Sequence, residues 1–163
     1  MTARARRIVP TGFTLMEMLI TVVILGVLAA IVIPGVTASQ NEAAQNIFVE
    51  DIKVFGQAAE LFRFDTGQYP EDAATGTVPT GFESYIDEKV WTALTPIGGA
   101  WDAEFESYGI KSALGVDFAN GGGEDRDDTY MLRVDQLMDD GDLTTGGFRK
   151  LDAGRYYNVL ADL

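Results

Sequence analysis

Nineteen consecutive residues, Met18 to Val36, carry no charge, and this run limits what the chain can be. At about 1.5 Å per residue, a helix of that length just crosses a hydrocarbon core of roughly 30 Å. Arg4, Arg6 and Arg7 precede it, so the N-terminus is expected to stay cytoplasmic and the C-terminal part to be exported. A secretory signal peptide has a shorter apolar core followed by a small-residue cleavage site. Here the run is too long, and Ala38-Ser39-Gln40 is a poor site of that kind.

A plain signal anchor fits the length but leaves Glu17 unexplained. A carboxylate at the edge of an apolar span costs free energy, up to roughly 2.5–3.5 kcal/mol at mid-membrane and less near the interface. One reading is local: Thr14-Leu15-Met16-Glu17 matches the capping box, in which two side chains satisfy free backbone N–H groups. The other is that Glu17 neutralises a cation in the bilayer or in a packed helix bundle. The span holds no Lys or Arg, but an α-amino group freed by cleavage would supply that charge.

Gly12-Phe13-Thr14-Leu15-Met16-Glu17, behind a basic head and ahead of an apolar span, resembles the signal of type IV prepilins and type II secretion pseudopilins. The resemblance covers residues 4–36, and Pro34 stands where the family usually carries a proline. It implies that a prepilin peptidase cuts after Gly12 and that Phe13 becomes an N-methylated N-terminus. It further implies that Glu17 pairs with the Phe13 amine of a neighbouring subunit during assembly. Self-assembly into a helical filament, an inner-membrane assembly platform and membrane lipid before assembly are the partners it brings.

Beyond the span the chain turns polar and acidic. The net charge is −13, and loss of the three leader arginines, which no acidic residue accompanies, takes it to −16. Such a surface repels nucleic acid and anionic lipid. The chain has no cysteine and no histidine, which excludes disulfides, thiol catalysis and Ser-His-Asp chemistry. No nucleophile motif or phosphate loop is present, so no catalytic residue is assigned and an enzyme on an anchor is the weakest class. The missing cysteines and the Gly67-Gln68-Tyr69-Pro70 turn resemble the pseudopilin branch more than pilins stapled by a disulfide.

Pro34 should kink the helix without ending it, because an amphipathic stripe follows. Ala44, Phe48, Ile52, Phe55, Ala59 and Phe62 recur at steps of three or four, with Glu42, Asn46, Glu50, Lys53, Gln57 and Glu60 opposite. The helix should stop near Asp65-Thr66-Gly67. Further on, residues 83–94 read as a short helix. Residues 97–110 read as a pair of short strands entered through Gly98-Gly99-Ala100-Trp101, with Tyr108-Gly109 near a turn. Residues 129–139 read as a helix with Asp128 as N-cap. Asp139-Asp140-Gly141-Asp142 reads as a turn in which a second metal site is conceivable but turn chemistry suffices. Residues 148–151 and 155–160 read as a hairpin across Asp152-Ala153-Gly154.

The stretch 117–128 is a glycine-rich acidic loop. Asp117, Asp125, Asp127 and Asp128 are candidate calcium ligands, since oxygen-rich loops bind that ion; a solvated loop is the alternative reading, and no other cofactor is expected.

The expected fold is α+β and pilin-like: a long N-terminal helical spine packed on a small antiparallel sheet. Its parts are a removable leader (1–12), an apolar transmembrane and assembly helix (13–36), an amphipathic continuation of the spine (37–66) and a globular α+β domain (67–163). The expected function is a filament subunit of a type II secretion pseudopilus in the bacterial inner membrane, with the C-terminal domain outside the cytoplasm. A type IV pilin in adhesion, motility or DNA uptake is the alternative, including a minor, tip-located subunit that binds a surface or substrate.

Overall fold

The computed structural model describes residues 12–163, apart from the side chains of residues 33–35. The basic leader therefore lies outside the described residues, as does the local geometry expected of the Pro34 side chain. Two compact units share the chain, residues 1–40 and residues 41–163. Helix α1 (Leu15–Thr66) contributes to both and continues past Pro34.

In the first unit α1 stands with its apolar side chains uncovered: Leu15, Val22, Leu25 and Ile31 are all more than half exposed. A run rich in Val and Ile would favour strand in water. In lipid a helix is favoured instead, because it satisfies every backbone group within the segment. This is the one helix among the described residues long and apolar enough to cross a membrane.

In the second unit the amphipathic part of α1 is covered as expected. Phe48, Ile52, Phe55, Ala59 and Phe62 are buried, and Ala44 packs at the margin. Phe48 stacks on Trp101 with centroids 5.2 Å apart, and Phe55 meets Trp101 and Trp91 edge-on at 4.8 and 5.0 Å. Such aromatic pairs add roughly 0.5–1.5 kcal/mol each beyond the burial of their area. The helix ends at Thr66, where the Gly67 N–H donates to the Arg63 carbonyl (2.8 Å) and Gly67 takes φ 87.

Four antiparallel strands, β1 (Ala100–Phe105), β2 (Ile110–Asp117), β3 (Phe148–Asp152) and β4 (Arg155–Asp162), form one sheet in the order β1-β2-β4-β3. Hairpins join β1 to β2 through Tyr108-Gly109 and β3 to β4 through Ala153-Gly154. Loops lie along both sheet edges. The Gly76 N–H donates to the Trp101 carbonyl of β1 (2.8 Å), and the Lys150 N–H of β3 donates to the Leu143 carbonyl (2.9 Å).

Three expectations need correction. The helix expected over 83–94 is two pieces, a 3-10 turn at Phe82–Ser84 and α2 (Glu88–Trp91). Asp87 restarts it by accepting the Lys89 N–H (2.9 Å), and the Trp91 indole is tied to the Thr77 carbonyl (2.9 Å). The second strand of the first pair does not lie within 97–110 but begins at Ile110 and runs to Asp117. It is the sheet's inner strand, buried on both faces except at Lys111, so the alternation that marks a half-exposed strand is missing. Helix α3 (Asp128–Met138) is capped by Asp127, which accepts the Tyr130 N–H (2.8 Å), and not by Asp128. The carboxylate of Asp128 is engaged by Lys150 and Tyr156.

Candidate functional site

The start of α1 carries the residues the motif singles out. Gly12, Phe13 and Thr14 precede the helix and are exposed. The Thr14 N–H donates to Glu17 Oε2 (2.8 Å), and the Glu17 N–H donates to Thr14 Oγ1 (3.2 Å). The capping box is therefore formed in both directions, satisfying two donors that the first turn leaves free. Thr21 then donates to the Glu17 carbonyl (2.7 Å). Among the described residues Glu17 is in no ion pair. The local reading of Glu17 holds: a formed cap keeps the carboxylate at the head of an exposed apolar helix.

The four candidate calcium ligands do not share one place. Asp125, Asp127 and Asp128 line an open depression with Phe118, Gly154 and Tyr156. Asp127 is spent on the α3 cap. Asp128 takes the Lys150 ammonium at 2.7 and 2.8 Å and the Tyr156 hydroxyl, and these hydrogen bonds hold its carboxyl below the usual range. Asp117 lies elsewhere, fully buried at the end of β2. It accepts from Asn120 (3.1 and 2.9 Å), Thr75 (3.0 Å) and Arg155 (3.0 and 3.1 Å). Burial pushes its carboxyl up, and the Asn120 and Thr75 hydrogen bonds outweigh that to hold it low. Among the described residues these four form no set with metal-ligand spacing.

Asp117 belongs instead to a buried network across β1, β2 and β4. The Arg155 guanidinium meets Asp102 (3.0 Å), Glu104 (2.8 Å) and Asp117 (3.0 Å), and donates to the Tyr108 hydroxyl (2.7 Å). Tyr157 reaches over Gly115, its register partner on β2, and donates to Asp102 Oδ2 (2.6 Å). Any Cβ on Gly115 would sit 2.1 Å from the Tyr156 carbonyl oxygen and 2.8 Å from the Tyr157 ring. Burial raises Asp102 to about 6, although Tyr157 and Arg155 pull it down. Three carboxylates against one guanidinium make a structural clasp between strands. Sequence reasoning missed it because Asp102 and Glu104 alternate with Trp101, Ala103 and Phe105, the pattern of a strand whose polar face is wet.

Comparison with known proteins agrees with the resemblance read from the sequence. The chain is 40% identical over 76 residues to type II secretion system core protein G of Vibrio cholerae, covering 47% of this chain and 48% of the relative. It is 37% identical over 60 residues to the protein of the same name in Aeromonas hydrophila (37% and 42%). Against that of Escherichia coli it is 30% identical over 93 residues (57% and 58%). The chain thus spans about half the length of these relatives, from 42% to 58%. No protein-family model matches the chain, and no solved structure matches it. With the glycine–phenylalanine–glutamate signal and the long helix on a four-stranded antiparallel sheet, the chain resembles the type IV prepilin-like proteins and is similar over part of its length to the type II secretion core proteins G.

Proposed function

We propose that the chain is a structural subunit of a type II secretion pseudopilus. It is made as a precursor whose leader, residues 1–12, is removed after Gly12 by a prepilin peptidase that also methylates the Phe13 amine. Before assembly, residues 13–36 span the bacterial inner membrane. The leader arginines keep the N-terminus cytoplasmic, and the rest of the spine (37–66) and the globular domain (67–163) lie outside the cytoplasm. The observation that carries this reading is a formed cap that places a lone carboxylate, Glu17, at the head of an uncovered apolar helix.

The physical logic is a transfer between two apolar surroundings. Burying one Val, Leu or Ile away from water is worth roughly 1.5–3 kcal/mol, so extraction of the span into water is prohibitive. Extraction into a bundle of identical helices costs little by comparison. An assembly platform need only move the subunit from lipid to bundle, and the Phe13 ammonium of one copy against Glu17 of the next fixes the step. A charge pair in such an apolar setting rejects wrong registers, because either partner left alone is a buried unpaired charge.

Mass spectrometry of the protein from membranes of its native host tests the reading. A mature chain beginning at N-methylated Phe13 is the expected result. A chain that retains the leader, or one cut beyond residue 36, would overturn it.

A further inference from the structure

Among the described residues every arginine is in an ion pair except Arg133, whose side chain makes no hydrogen bond either. In a chain of net charge −13 an unpaired cation is the exception. Arg133 is exposed on α3, one turn before Leu137, which is 46% exposed. At a spacing of four the two share one face of the helix. They border the crevice where α3 meets α1, across from Glu42 and Asn46 and beside Gln45, whose amide donates to the Tyr130 carbonyl (3.4 Å).

Another side of α1 carries the complementary surface. Asp51 and Val54 border a shallow groove whose other wall is Tyr85, Ile86 and Val90. Val54 is 59% exposed and Val90 39%. Asp51 is half-buried, and among the described residues its carboxylate is in no ion pair or hydrogen bond. Burial, and after it the charge of Glu50, push that carboxyl up. Asp87 adds a second negative charge, and none of the described residues lining the groove is basic. Apolar walls beside two carboxylates fit an aliphatic side chain next to a guanidinium, which can take a carboxylate through two parallel hydrogen bonds. Arg133 and Leu137 are such a pair. At 3.6 residues per turn, Glu42 and Asn46 project from a different side of α1 than Asp51 and Val54. The two surfaces of one chain therefore stay apart, and each is open to another copy.

We propose that the Arg133–Leu137 face of α3 on one copy docks into the groove of Asp51, Val54 and Val90 on the next copy. The guanidinium meets Asp51, and the leucine lies against the two valines. The surfaces differ, so the contact runs head to tail and propagates as a ring or a helical array instead of closing at a pair. This inference rests on the filament reading above and adds to it a contact made by the unit 41–163, separate from the apolar span. The charge pair sets the register of that contact, since a copy docked out of place leaves like charges facing one another.

The test uses the full chain assembled in its host. The protein has no cysteine, so a short bismaleimide joins only introduced thiols. Ser84→Cys and Gln136→Cys are exposed neighbours of the groove and of Arg133, and they leave both charges in place. The chain carrying both is expected to give a ladder of cross-linked multimers, and either change alone no ladder. Arg133→Glu should lower the yield of sheared filaments about tenfold or more. Asp51→Lys should do the same, and the two together should restore most of the yield, which a folding defect would not. Wild-type filaments with no ladder from the double cysteine chain overturn this contact and leave the filament reading standing. Normal assembly of Arg133→Glu, or no recovery in the charge swap, overturns it as well. A wild type that forms no filaments overturns the filament reading and this contact with it.

Discussion

Replacing Arg155 by methionine removes the cation that Asp102, Glu104 and Asp117 share while keeping most of the side-chain volume. The three carboxylates are 2%, 4% and 0% exposed, so water cannot take over the role of the guanidinium. Removing one partner of a buried ion pair costs about 3–5 kcal/mol, against a total stability of roughly 5–15 kcal/mol for a domain. For a unit the size of residues 41–163 that corresponds to a fall in melting temperature of about 10–20 °C. Near-ultraviolet circular dichroism of the full chain in detergent reads it directly, because Trp91 and Trp101, the two tryptophans, are both fully buried in this unit. The deficit should depend on pH in a definite sense. Asp102 sits at about 6 in the folded protein, above the unfolded value of about 3.9. It therefore contributes stability that is fully present below about pH 4 and is lost as pH rises through about 6. Arg155 pulls that value down, so without it the folded value climbs further and the variant gains more than the wild type on acidification. The gap should be widest at neutral pH and narrower at pH 5. A variant that melts within about 1 kcal/mol of the wild type at pH 7, or a gap that does not change with pH, would refute the reasoning: the carboxylates would then have access to water.

Glu17→Val should insert and be processed normally yet give few filaments, which is checked by immunoblotting membrane and sheared-filament fractions; normal filament yield sinks the charge pairing. Gly115→Ala should destabilise the unit by at least about 1–3 kcal/mol, because its Cβ meets the β4 backbone and the Tyr157 ring; an unchanged denaturant midpoint would show that β2 and β4 can part without penalty. Phe48→Ala removes a ring that stacks on Trp101 and meets Phe148 edge-on and should cost about 3–5 kcal/mol by urea titration; a loss under about 1 kcal/mol would mean that this part of α1 is not seated on the sheet.

The spine was legible because its signals are periodic and long. An uncharged run of membrane length, a stripe from Ala44 to Phe62 and a glycine after Thr66 each have one good structural reading, and the helix follows them. The hairpin at Gly154 was legible from its turn, with a left-handed glycine between two short strands. Strand β2 was not, since an inner strand buried on both faces loses its alternation, and Ser112, Ala113 and Gly115 carry little strand propensity. The roles of the aspartates were also hidden. With 25 acidic residues, composition cannot tell Asp127, a helix cap, from Asp117, a buried partner of Arg155, or from Asp135, a buried carboxylate in α3. Those identities come from neighbours distant in sequence: Thr75 for Asp117, Tyr157 for Asp102, Lys150 for Asp128.

The loops along the two outer strands have a bearing on crowding. A sheet edge with free N–H and C=O groups recruits other strands, and the hazard grows with local concentration. Here the Trp101 carbonyl on one margin and the Lys150 amide on the other are already occupied by the chain's own backbone. Copies stacked at high density can therefore stand side by side without stitching together through their sheets. In the filament proposed above, contact between neighbours is then left to side chains and to helices.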